Sequence, residues 1–488
     1  MTGTDWALYT DLYQLTMAQG YWSAGKLDDR AAFTMSFRDY PFRGGYAIAC
    51  GMEQVAEILA DYSFSADDIA YLTEVRSSDG TPMFDPEFLS FLGSMSLCID
   101  VDAVPEGTVV FPHEPIMVVR GPIMQCQLLE TVLLNCVNFQ TLIATKAARV
   151  CRATGGAPVA EFGLRRAQGM GGVWASRAAY IGGCASTSNV LAGKIFNIPV
   201  SGTHSHSWVM SFPSELEAFR AYAHAFPSNC TLLVDTYDVE TGVRNAIVVG
   251  QEMRARGEAL AAIRIDSGDL AWLASKARAM LDEAGLTEVG IVLSNDLDEC
   301  TVESILDQGA PVDAWGVGTK LATAYDQPTL GGVYKLSAIR PAGSDIWEDK
   351  LKISESASKL TLPGVLNVRR YFNDDGHVAG DMIYDINSDV DAGEVIVDPL
   401  DALRQKQLAG KRFEVLLAPF LRQGRMVADY DPSDARAARH RACAGLETLD
   451  ESQLRMLNPH TYPVGLERGL HERRQNLVAQ LRHVPERP

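Results

Sequence analysis

From about residue 157 the chain falls into a rhythm of short apolar runs, each closed by small or polar residues. The runs APVAEFGLRR, YIGGCAST, IPVSGTHSH, CTLLVDTYD, LAAIRIDSGD, GIVLSNDLDE and PVDAWGVGT recur about every 20–30 residues. Helix-compatible stretches lie between them, among them Glu215–Ala225 and Leu270–Glu283. Seven such βα units in a row predict a parallel α/β architecture, and their number favours a barrel over an open doubly wound sheet. In a barrel the residues just past each strand gather on one face, which holds the active site.

The flanks read differently. Ala31–Phe37 and Thr108–Val119 alternate and predict strands, whereas Ala47–Tyr62 reads as an amphipathic helix with Gly51 near its start. Leu128–Val150 carries Leu129, Val132, Leu133, Cys136, Phe139, Leu142 and Ile143 at helical spacing and predicts one long core helix. After about residue 335 strand-like and acidic turn segments run to about residue 430, and a charged helical tail begins at Asp434. A chain of 488 residues is too long for one ordinary core. The predicted division is an N-terminal α+β domain over 1–127, a catalytic barrel over 128–335, and a segment 336–488 that completes the smaller domain and ends in helices.

Composition narrows the function. Hydrophobic residues make up 47% and charged residues 22%, as in a globular protein with a large core. A net charge of −19 argues against nucleic-acid or anionic-membrane partners. Any phosphate must therefore be held by local devices: backbone N–H groups, a few arginines or a metal. The nine cysteines are scattered with no C-x-x-C pair, which fits a reducing, cytoplasmic setting. No stretch reaches the ~18–20 apolar residues that span a bilayer.

The strand ends carry the chemistry. They offer Glu161, Arg165 and Arg166; Ser186 and Thr187; Thr203, His204 and His206; Asp235 and Asp238; Arg264, Asp266, Ser267 and Asp269; Ser294, Asn295 and Asp296; and Gly316, Gly318 and Thr319. One polar strand end is usually a turn or a helix cap. A whole series mixing arginines, carboxylates, a His-x-His and a glycine turn suits a polyanion with a divalent metal. Glycines in WGVGTK let backbone N–H groups approach a phosphate. Arg264 and Asp266, two apart, point the same way. His-x-His can ligate zinc, but later strand ends supply no further histidine, so a nucleophilic or phosphoryl-accepting histidine is the better functional reading.

TDLYQLTMAQGY, FRDYPFRGGYAIACG, NFQTLIATKAARV, EFGLRRAQG, GTHSHSW, VDTYD, IRIDSGD and GVGTKL together resemble the nicotinate phosphoribosyltransferase family, over nearly the whole chain. The resemblance implies an incomplete α/β barrel beside an N-terminal α/β domain to which later segments contribute. It implies a homodimer with shared active sites and a reaction coupled to ATP hydrolysis through a phosphohistidine at His206. Carried over by position, Phe162 and Arg165 contact the nicotinate ring and carboxylate, and Tyr13 stacks on that ring from the partner subunit. Arg264 and Asp266 hold the pyrophosphate side and the ribose hydroxyls. Gly318 and Thr319 hold the 5′-phosphate, and Arg38 contacts a phosphate. Ser188 aligns where nicotinamide-using relatives carry an acid. One departure is FRGG, where the family often has FGGG, so Arg43 alters that loop.

Phosphoribosyl transfer builds positive charge on the sugar and calls for Mg²⁺ on the leaving pyrophosphate. Thr203 is assigned to the substrate, Asn295 and Gly316 to phosphate, Asp235 to orienting His206, and Asp269 to the metal. The substrates expected are nicotinate, phosphoribosyl pyrophosphate and ATP. The rivals are a nicotinamide or quinolinate phosphoribosyltransferase and a metal-dependent barrel hydrolase.

Overall fold

The computed structural model describes residues 6–353, 361–427 and 431–482. It divides into two compact units, Leu142–Pro328 on one side and Met1–Thr141 with Thr329–Pro488 on the other.

The Leu142–Pro328 unit is built on six strands: β1 (Val159–Glu161), β2 (Ser186–Thr187), β3 (Cys230–Leu233), β4 (Leu260–Ile265), β5 (Gly290–Asn295) and β6 (Ala314–Val317). Their spatial order is β2-β1-β6-β5-β4-β3 and every pairing is parallel. The sheet is thus the incomplete parallel barrel expected, open between β2 and β3. Leu232, Ile263, Ile265, Ile291, Leu293, Trp315 and Val317 are buried along it, as strands covered by helices require. The aspartates after three strands start the next helices. Asp238, Asp269 and Asp298 accept hydrogen bonds from the backbone N–H groups of Thr241, Trp272 and Thr301.

One of the seven predicted strands does not form. IPVSGTHSH contributes only an isolated bridge between Val200 and Thr187, and the chain then enters the helix His206–Met210. Pro199 has no N–H to give a ladder and Gly202 weakens an extended run.

The other unit holds three sheets, the smallest pairing Ala47–Ile48 with Val109–Val110. In a seven-stranded sheet, Arg30–Phe37 pairs antiparallel with Gly332–Arg340 on one side and Met117–Pro122 on the other. The segment after residue 329 therefore shares a sheet with the N-terminal strands. A six-stranded sheet is made wholly from later residues, with Val464–Glu467 lying parallel to Val378–Asp385.

Two sequence readings are corrected here. Ala47–Ile48 is a short strand, and the helix runs only over Met52–Ala60, because Gly51 turns the chain at φ 111°. Thr108–Val119 splits into Val109–Val110 and Met117–Pro122, interrupted at Pro112. The long core helix forms as predicted, over Glu130–Ala153, with a short helix, Ile123–Leu128, just before it. Among the described residues no helix is long and apolar enough to cross a membrane.

Candidate active site

Arg264, on β4, organises the strand-end face of the barrel. Its Nε donates to Ser294 Oγ at 2.7 Å, Nη1 to Thr203 Oγ1 at 3.1 Å and Nη2 to Asp266 Oδ1 at 2.8 Å. Its guanidinium also lies 5.3 Å from the centroid of the Phe162 ring. Ser294 Oγ donates to the same Asp266 oxygen. Four residues named from four separate stretches of sequence thus meet around one cation. Three of its donors are already committed to protein oxygens.

His206 opens the short helix His206–Met210 with its side chain 42% exposed. Its Nδ1 lies 3.2 Å from Thr236 Oγ1 and 3.9 Å from Asp235 Oδ1. The Asp235 side chain is fully buried. Its Oδ2 accepts from the Asp266 N–H at 3.0 Å and from Ser267 Oγ at 2.6 Å, while Oδ1 has no hydrogen-bond partner. A buried carboxylate oxygen left unsatisfied is costly, and here it faces the imidazole.

His204 belongs to the packing. It is 8% exposed, its Nε2 accepts the Leu233 N–H at 3.2 Å, and its ring meets Tyr222 edge-on at 4.7 Å. Burial lowers its pKa to about 4. The His-x-His pair therefore splits between core and cleft. Among the described residues no group of three or more His, Cys, Asp and Glu side chains is arranged to hold a metal.

Phe162, Arg165 and Arg166 follow β1. Phe162 N–H donates to Val317 O at 2.8 Å, which ties this turn to the end of β6. Gly316 sits inside β6, where an added Cβ would lie 2.5 Å from the Phe162 ring, so its missing side chain is the space the ring occupies. Gly318 caps the short helix Thr319–Ala322. Beside it Lys320 Nζ donates to Asp298 Oδ2 at 2.6 Å. Burial works against the Asp298 anion, yet the Lys320 and Thr301 hydrogen bonds hold its pKa down at about 2. Arg165 lies exposed in the turn Leu164–Arg166. Ser188 is half-buried at the end of β2, its N–H donating to Glu161 O at 2.9 Å. Asn295 ends β5, exposed. Asp269 is exposed, and its Oδ1 is spent capping Leu270–Glu283.

Tyr13 and Arg38 belong to the other unit. Tyr13 is 49% exposed on the helix Leu12–Ser23, with its hydroxyl donating to Glu130 Oε2 at 3.3 Å. Arg38 lines a cavity of about 630 Å³ with Tyr40, His113 and Lys406, and its buried Nε has no hydrogen-bond partner. Arg43 lies exposed in the turn Pro41–Arg43.

Sequence reasoning overlooked Thr236, the hydroxyl nearest His206, and Lys320, the cation beside the glycine turn. Both neighbour residues singled out in VDTYD and GVGTKL, but neither pairing can be read before the strands are laid side by side.

Guanidinium, hydroxyl and backbone N–H donors line the strand ends, as binding a polyanion requires. Three family models cover most of the chain: the nicotinate phosphoribosyltransferase N-terminal domain over residues 8–138, the family itself over 158–359 and its C-terminal domain over 367–474. The class is thus a phosphoribosyltransferase on an incomplete parallel barrel. The nicotinate phosphoribosyltransferase of Bacillus subtilis is 46% identical over 76% of this chain and 74% of its own. The human enzyme is 35% identical over 97% and 96% of the two chains. The crystal structure of human nicotinic acid phosphoribosyltransferase superposes with a TM-score of 0.82, over 97% of this chain and 99% of its own. A nicotinate-nucleotide pyrophosphorylase structure from Pyrococcus furiosus shares the fold at a TM-score of 0.69, with 21% identity over 91% and 96% of the two chains. The chain belongs to the nicotinate phosphoribosyltransferase family.

Proposed function

We propose that the protein transfers the phosphoribosyl group of phosphoribosyl pyrophosphate to nicotinate, releasing pyrophosphate and forming nicotinate mononucleotide. The step serves NAD biosynthesis in the cytoplasm, and ATP hydrolysis drives it through a phosphohistidine at His206. The single observation that carries the ATP coupling is the unpartnered Oδ1 of buried Asp235 facing His206 Nδ1 at 3.9 Å. A carboxylate there orients the ring and stabilises the charge that develops when Nε2 attacks the terminal phosphorus of ATP and the bond to the bridging oxygen breaks, releasing ADP. Nε2 makes no hydrogen bond among the described residues, and the exposed ring leaves it open to the nucleotide.

In the transfer step the pyridine nitrogen attacks the anomeric carbon as the bond to pyrophosphate breaks. Positive charge grows on the ribose, and Asp266 faces it while ordering the hydroxyls. Arg264 and Thr203 bind the pyrophosphate side. Asn295, Gly316, Gly318 and Thr319 form the 5′-phosphate end, with backbone N–H groups as donors. Phe162 and the partner subunit's Tyr13 sandwich the ring, Arg165 reads the carboxylate with Ser188 beside it, and Arg38 serves a phosphate. This arrangement requires a homodimer. The Asp266 and Asp269 carboxylates are hard oxygen donors, as Mg²⁺ prefers. Held by Asp266 and Asp269, Mg²⁺ would supply positive charge against the leaving pyrophosphate.

The test is a product assay with nicotinate, phosphoribosyl pyrophosphate and Mg²⁺, with and without ATP. Nicotinate mononucleotide should form in both arms and faster with ATP. A preference for nicotinamide or quinolinate overturns the substrate, and equal rates in the two arms overturn the coupling.

A further inference from the structure

Glu161 ends β1 with its side chain 1% exposed, and the reaction as proposed gives it no task. Its carboxylate is nonetheless surrounded by donors. Oε1 accepts from the Gly163 N–H, and Oε2 accepts from Ser176 Oγ at 2.8 Å and Thr187 Oγ1 at 2.7 Å. Its backbone carbonyl accepts the Ser188 N–H at 2.9 Å. One residue thereby fastens three segments: the turn carrying Phe162 and Arg165, the helix Gly171–Ile181, and the end of β2 carrying Ser188.

The donors are themselves directed. Thr187 Oγ1 accepts the Asn189 N–H at 3.0 Å, which leaves its proton for Glu161, whereas Ser176 Oγ accepts Asn189 Nδ2 at 3.1 Å and shares its proton between Glu161 Oε2 and Gly172 O at 2.9 Å. A side chain that donated in place of the Glu161 Oε2 acceptor would meet the Thr187 hydroxyl proton. The turn has little room to compensate. A Cβ on Gly163 would lie 2.2 Å from Ala322 Cβ and 2.7 Å from Gly318 O.

We propose that Glu161 is the positioning residue of the nicotinate subsite, fixing the distance between the ring face at Phe162, the guanidinium at Arg165 and the hydroxyl at Ser188. The inference rests on nicotinate being the substrate. It reaches the chemistry through its neighbours, so its signature is in substrate affinity and choice rather than in the bond-breaking step.

Glu161→Gln keeps the shape and removes one acceptor. The KM for nicotinate should rise on the order of tenfold, the worth of one lost hydrogen bond to a charged group. The kcat at saturating nicotinate and the KM for phosphoribosyl pyrophosphate should stay within about twofold, and the preference for nicotinate over nicotinamide should shrink. Thr187→Val, which removes a single donor, should move the same parameters the same way by about threefold, and decides alone if Glu161→Gln is too unstable to assay. Unchanged nicotinate KM in a folded variant overturns the inference. So does a parallel loss across both substrates and kcat that follows the melting temperature, since that marks a merely structural group. Wild-type enzyme that makes no nicotinate mononucleotide overturns the proposed function and this inference with it; a productive wild type beside unaffected variants overturns the inference alone.

Discussion

Arg264 commits three donors to protein oxygens before any ligand arrives, whereas the Arg165 guanidinium has no hydrogen bond or ion pair among the described residues. Arg165, like its exposed neighbour Arg166, therefore has donors to spare, and by position it is the one assigned to meet a substrate carboxylate with a two-pronged hydrogen bond. Leaving that carboxylate unpaired costs roughly 3–5 kcal/mol, and each ~1.4 kcal/mol is tenfold, so Arg165→Ala should lose on the order of 100-fold or more in kcat/KM for nicotinate. Loss for nicotinamide should be far smaller; equal losses would sink the assignment. His206→Ala should abolish ATP hydrolysis while leaving slow product formation without ATP, and normal coupling in that variant would refute the phosphohistidine. His204 makes a pH prediction. Burial lowers its pKa from 6.5 to about 4, so its contribution to stability is fully present above pH 6.5 and is lost as pH falls from there to about 4. The melting temperature of the wild type should drop across that window more steeply than that of His204→Gln. His113, also lowered by burial, titrates in both proteins, so the difference isolates His204.

At the level of elements, the β1 turn and the β6 turn are one device. Phe162 hangs from Val317 by its N–H and fills the space over Gly316, which also adjoins Ser294. A methyl at residue 316 must push the ring or the strand. Gly316→Ala should therefore destabilise by ~1–3 kcal/mol and raise the nicotinate KM, measured by denaturation and steady-state kinetics. A stable variant with wild-type KM would show that the ring has room. The strands themselves were plain in the sequence, because apolar runs ending in small or polar residues are what a covered parallel strand requires. IPVSGTHSH imitated that pattern and failed as a strand, since Pro199 and Gly202 weigh against pairing more than its apolar content favours it. Asp238 and Asp269 also hold helix N-termini, each accepting the backbone N–H three residues on, a role the sequence does not separate from that of a site carboxylate.

Across the whole molecule, Tyr13 and Arg38 lie in a different compact unit from Arg165, Arg264 and His206. If the active site is shared between subunits, a Tyr13→Ala chain and an Arg165→Ala chain, each inactive alone, should recover part of the activity on mixing, because some mixed dimers hold one intact site. No recovery after verified subunit exchange would count against shared sites.

The linear chain already contained the strand rhythm, the residues at the strand ends and the motifs that mark the family, because these depend on local periodicity and short-range turn chemistry. It did not contain the division of labour among them. Whether a histidine sits in the core like His204 or faces a buried carboxylate like His206 depends on which strand lies alongside. Whether Arg264 or Arg165 has donors to spare depends on Thr203 and Ser294, far away in sequence. The sharing of one sheet by Arg30–Phe37 and Gly332–Arg340, some 300 residues apart, likewise has no local signal. Such pairings are settled by burial and hydrogen-bond satisfaction across the folded chain.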